Sequence, residues 1–118
     1  MPMPFMMKRV YDDPGADDGA RILVERLWPR GVSKDRARLD AWLKEVAPSS
    51  TLRHWFGHDP ERWEEFRRRY WAELEEKPEA VATLLEAGER GRVTLVYASR
   101  DEAHSCVAAL KEFLERQR

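Results

Sequence analysis

The 118-residue chain is 42% hydrophobic and 36% charged, enough apolar content for one compact core and too little length for two. Its 21 Lys and Arg nearly cancel 22 Asp and Glu, so no global field draws it to nucleic acid or to a membrane surface. The single cysteine, Cys106, excludes an internal disulfide and fits a reducing, cytoplasmic setting, and no stretch approaches the roughly 20 apolar residues of a membrane span.

In chain order, residues 1–7 carry all four methionines with Pro2 and Pro4 and read as a disordered start, leaving residues 8–118 as a single α/β domain. Lys8 to Tyr11 is a short strand ended by the turn signal Asp12-Asp13-Pro14-Gly15, and an acidic, water-facing loop runs on to Gly19. Arg21, Ile22, Leu23 and Val24 lack alternation, the pattern of a central strand covered on both faces, and Leu27 prolongs it. Pro29 stops the strand, holds Trp28 extended and forces a turn at Arg30-Gly31.

Helices fill the middle of the chain. Ser33 or Asp40 caps one carrying Leu39, Trp42, Leu43 and Val46, and Pro48 ends it. Ser50 caps a second, Thr51 to Phe56, closed by Gly57. Asp59-Pro60-Glu61 starts a third with the stripe Trp63, Phe66, Tyr70 and Leu74, and Pro78 opens a fourth that Gly88 or Gly91 closes. Arg92 to Ala98 is the second clear strand, β-branched and aromatic. Ser99 and Glu102 have capping-box spacing for a last helix with Val107, Leu110 and Leu114 on its buried face. The expected architecture is a small, mostly parallel sheet with helices packed on its faces.

Parallel neighbours would bring two carboxyl-end loops together, Trp28-Pro29-Arg30-Gly31 and Ser99-Arg100-Asp101 through His104, where ligands usually bind in open α/β sheets. Arg26, Arg30 and Arg100 beside a helix N-terminus favour an anion, phosphate or carboxylate, and Trp28 offers a stacking face. His104 and Asp101 are the candidates for proton handling, although Asp101 also suits a helix cap and His104 a plain surface position. Arg30 could equally pair with Asp101 or Glu25, and Trp28 could simply cover the sheet edge.

A second cluster, Arg53-His54-Trp55-Phe56-Gly57-His58, adds Arg53, Trp55 and His58 as candidate ligand contacts. His54 and His58 have the spacing of a helical metal pair, but Gly57 breaks the helix between them and no third ligand is evident, so no metal and no cofactor is expected. Cys106 stands two residues from His104, a spacing at which helical side chains diverge, which argues against a Cys-His nucleophile pair. The expected partner is an anionic small molecule, bound or turned over. The alternative is a nucleic-acid or protein-binding module using Arg62 and Arg67 to Arg69 with exposed tryptophans.

Arg26-Leu27-Trp28-Pro29-Arg30-Gly31, Ala47-Pro48-Ser49, Trp55-Phe56, His58-Asp59-Pro60, Phe66-Arg67, Val93 to Ala98, Asp101 and His104 together resemble the YeaO-like branch of the domain-of-unknown-function family DUF-488. The resemblance spans nearly the whole chain. It implies a small cytosolic α/β protein of bacteria or archaea and supplies no reaction. The chain departs from the family pattern at Arg100, where a lysine is usual, and at Ser105, where the amide that usually follows the histidine is lost.

Overall fold

A computed structural model describes residues 4–100 and 105–117. Its frame is a four-stranded, all-parallel sheet in the order β1-β4-β2-β3, built from β1 (Phe5–Arg9), β2 (Ala20–Leu23), β3 (Ala41–Trp42) and β4 (Val93–Tyr97). The helices are α1 (Lys34–Ala37), α2 (Ser50–Phe56), α3 (Trp63–Glu75), α4 (Pro78–Arg90) and α5 (Cys106–Arg116). Among the described residues no helix is long and apolar enough to cross a membrane.

The two faces of the sheet are covered unequally, and alternation along the strands sorts their residues. Ile22, Val24, Val93, Leu95 and Tyr97 pack with Phe66, Tyr70, Leu84, Leu110 and Leu114 under α2 to α5. Leu23 and Val96 point the other way, into a smaller cluster with Val10, Val32 and Ala37 beneath α1. All five residues of β4 are buried, which is why its sequence shows no polar alternation.

Several boundaries differ from the sequence expectation, each for a local reason. The first strand opens at Phe5, inside the stretch expected to be frayed, because Phe5 is buried against α4; a Cβ added at Gly88 would lie only 2.9 Å from its ring. The acidic loop does not wholly face water: Asp18 is 7% exposed and takes hydrogen bonds from Lys8 Nζ at 2.9 Å, Gly15 N at 3.0 Å and Arg21 Nη1 at 2.6 Å.

The helix expected through Leu39, Trp42 and Val46 is absent. Ser33 caps only the four-residue α1, accepting from Arg36 N at 3.1 Å, and the left-handed Arg38 (φ 47°) ends it. Asp40 then uses its carboxylate on Arg21 N at 2.7 Å, and Ala41 and Trp42 pair with Ile22 and Leu23 as the sheet edge. Backbone groups left open on the edge of β2 outweigh the helical spacing of four apolar residues. The last helix begins at Cys106, capped by Ser105, whose hydroxyl accepts from Ala108 N at 3.3 Å; the expected capping box at Ser99 does not open it.

Candidate functional site

β2 and β4 are neighbours, and the helices that follow them pack on opposite faces of the sheet, α1 with Leu23 and Val96 and α5 with Leu95 and Tyr97. Such a switch point leaves a crevice between the two departing loops. A cavity of about 540 Å³ opens at these strand ends between Glu25, α2, α3 and the start of α5, within the size range typical of small-molecule sites.

Glu25 lines it just beyond the end of β2. The β2–β4 ladder runs up to Val24 N, which donates to Val96 O at 3.2 Å. The next amide on β4, Ala98 N, donates instead to Glu25 Oε1 at 2.7 Å, so a carboxylate replaces the ladder and the strand stops short of Trp28. Among the described residues Glu25 has no cation within ion-pair distance. Ala98, Ser99, Ser105 and Cys106 line the β4–α5 side.

Across the crevice stand Ser50, Arg53 and His54 on α2. Ser49, rather than the expected Ser50, caps that helix through Leu52 N at 3.1 Å, and Glu73 binds the Ser49 hydroxyl and amide in turn. The helix therefore has a fixed start. Gly57 (φ 54°) and His58 (φ 58°) are successive left-handed residues that turn the chain back into α3 and bring His58 to the cavity. Phe56 and Phe66 form an apolar wall, their rings stacked at 4.3 Å.

Cys106 is not poised as a nucleophile. Burial, reinforced by the Glu25 carboxylate and only partly offset by Arg53, pushes its thiol up to about 12. Among the described residues no group of three or more His, Cys, Asp and Glu side chains is placed to hold a metal ion.

The structure divides the residues nominated from the sequence. Arg53, His58 and Ser99 line the cavity. Arg26, Trp28, Arg30, Gly31, Trp55 and Arg100 are not part of its lining. Arg26 reaches Pro48 O at 3.2 Å. Trp28 closes its own loop, donating from Nε1 to Val32 O at 2.6 Å and meeting Trp42 edge to face at 5.5 Å. Arg30 is exposed, with its carbonyl taking the Tyr11 hydroxyl at 3.1 Å, and the left-handed Gly31 (φ 76°) makes the expected turn. Trp55 has the guanidinium groups of both Arg62 and Arg69 over its ring. His104 and Asp101 lie outside the described residues.

The residues added by the structure are Glu25, His54, Phe56, Phe66 and Cys106. One sequence signal pointed to the first of them: a carboxylate directly after the apolar run Ile22-Leu23-Val24. The basic run is largely neutralised, since Arg67 pairs with Glu64 and Glu112, and Arg68 and Arg69 with Glu65.

Comparison with known proteins places this architecture in a lineage. Residues 4–118 match the family model described as the inactive DUF488-N3 subclade. The chain is 47% identical over 106 residues to an uncharacterized protein of Mycobacterium tuberculosis, covering 90% of this chain and 89% of that one. It is 37% identical over 112 residues to the uncharacterized protein YeaO of Escherichia coli, covering 95% of this chain and 97% of that one. No solved structure matches it significantly. With the family model spanning the whole described fold and YeaO aligned nearly end to end, the chain belongs to the DUF488 family as a YeaO-like member.

Proposed function

We propose that the chain binds an anionic small molecule, bearing phosphate or carboxylate, in the crevice at the carboxyl ends of β2 and β4, and holds it without turning it over. The observation that carries this reading is that Arg53, His54 and His58 all line a 540 Å³ cavity at the carboxyl ends of β2 and β4. A guanidinium at the cavity edge can take an oxyanion in bidentate geometry, and the imidazoles and the Ser50 and Ser99 hydroxyls supply further donors. Two observations favour binding over catalysis. The cavity thiol, Cys106, is held protonated, and the matching family model is described as inactive. Against a nucleic-acid surface, the Arg67 to Arg69 run is already paired with carboxylates.

A thermal-shift screen of phosphorylated metabolites, nucleotides and carboxylates, run on wild type, Arg53→Ala and Arg30→Ala, tests the reading. At a hundredfold excess over Kd a ligand adds about 2.7 kcal/mol of stability, a shift readily seen in melting. The expected outcome is a hit lost in Arg53→Ala and kept in Arg30→Ala. The absence of any hit, or a hit indifferent to Arg53, would sink the proposal.

A further inference from the structure

The cavity lining carries charge of both signs, and the anion site accounts for only one of them. Glu25, in the same lining as Arg53, brings a half-buried carboxylate whose Oε1 accepts a single amide, Ala98 N at 2.7 Å, with no cation among the described residues within ion-pair distance. A carboxylate has about four lone-pair sites, so Glu25 keeps acceptor capacity toward the cavity beyond the Ala98 amide. Phe56 and Phe66, stacked on each other and almost wholly buried, contribute the apolar part of the same lining.

Resting on the anion-binding reading above, we infer that the ligand is bipolar: its anionic group faces Arg53 and a planar edge with two adjacent N–H donors faces Glu25. Two donors side by side match the two oxygens of a carboxylate, as they do in carboxylate–guanidinium pairs. A guanine nucleotide and a guanidinium compound carrying a carboxylate or phosphate both combine such an edge with an anionic group.

The test is isothermal titration of the full chain with matched probes. Guanosine 5′-monophosphate is compared with inosine 5′-monophosphate, which lacks the second N–H, and with ribose 5-phosphate, which lacks the edge. L-Arginine is compared with L-norleucine. Wild type and Glu25→Gln are both titrated; the Gln amide oxygen can still accept Ala98 N–H, and far-ultraviolet circular dichroism checks that the variant is folded. The expected result is that either the guanine or the arginine probe binds about tenfold or more tightly than its matched partner, the margin a bidentate pair typically gives, and loses that margin in Glu25→Gln. The arm that shows the margin identifies the source. If ribose 5-phosphate binds as well as the guanine nucleotide, and norleucine as well as arginine, the inference fails while the anion site stands. If none of the probes binds, both fail. The comparison on wild type alone decides the matter even if the variant does not fold.

Discussion

Replacing Asp18 by Asn should destabilise the fold by about 3 kcal/mol at neutral pH, with a pH dependence of known sign. Asp18 ties together Lys8 on β1, Gly15 in the loop and Arg21 on β2, while Arg21 is 4% exposed and, among the described residues, its guanidinium otherwise bonds only to the Ala37 carbonyl. Burial by itself would raise the Asp18 carboxyl, but the Gly15 amide, Lys8 and Arg21 outweigh it and bring the value from 3.8 down to about 2. At 1.36 kcal/mol per unit that difference contributes about 2 kcal/mol. An Asn amide also turns donors toward donors and leaves Arg21 buried without its counter-charge, which brings the total to about 3 kcal/mol. Because the folded-state value is depressed, this stability is complete above pH ~4 and lost as pH falls toward 2. Urea unfolding of wild type and Asp18→Asn between pH 7 and pH 2 measures it. The gap should shrink by about 2 kcal/mol across the acid range. A gap that stays constant with pH, or one below about 0.5 kcal/mol throughout, would refute the reasoning.

Three further outcomes follow from local geometry. Gly19→Ala should cost at least about 2 kcal/mol, because φ is 67° and a Cβ would lie 2.1 Å from the Arg92 carbonyl oxygen, whereas Gly31→Ala, with φ 76° and open space around it, should cost only about 1 kcal/mol; equal melting temperatures for the two variants would contradict this. Cys106 should react with iodoacetamide at pH 8 on the order of a hundredfold more slowly in the native protein than in urea, since its thiol is pushed up to about 12; equal rates would show that the thiol is not held protonated. His58→Gly should leave stability unchanged or raise it by up to about 1 kcal/mol while weakening ligand binding, because a non-glycine residue is held left-handed at the cavity. A fall in melting temperature would mean that His58 serves the fold and not the site.

How far the sequence could be read depended on whether a segment's structure was decided locally. α2 to α4 and β4 were readable because caps, prolines and apolar spacing agree with their packing: Gly57 closes α2, Asp59-Pro60 leads into α3 and Pro78 opens α4. Residues 33–46 were not, because their helical spacing competed with an open edge on β2 that becomes visible only once the sheet is assembled. The start of the last helix turned on a similar choice between two serines. Ser99 had the better box, yet Ser105 places Val107, Leu110 and Leu114 in the core.

The candidate site shows the same division. Its position at the ends of two neighbouring parallel strands followed from the crossover rule, and the structure places those strands side by side. Its residues depended on which way the chain leaves β2. Once it departs toward α1, Trp28 is spent on closing its own loop and Glu25 is left facing the crevice. Arg53 arrives from α2, nearly thirty residues from Glu25, and no short motif joins the two.

The most direct test of the proposed site is to map it with a simple anion. Titrating inorganic phosphate into ¹⁵N-labelled protein and following backbone amide shifts should move Arg53, His54, Ser99 and Cys106 together, with the response lost in Arg53→Ala. Shifts confined to the face around Arg62 and Arg67 to Arg69, or no saturable shift at the crevice, would contradict it.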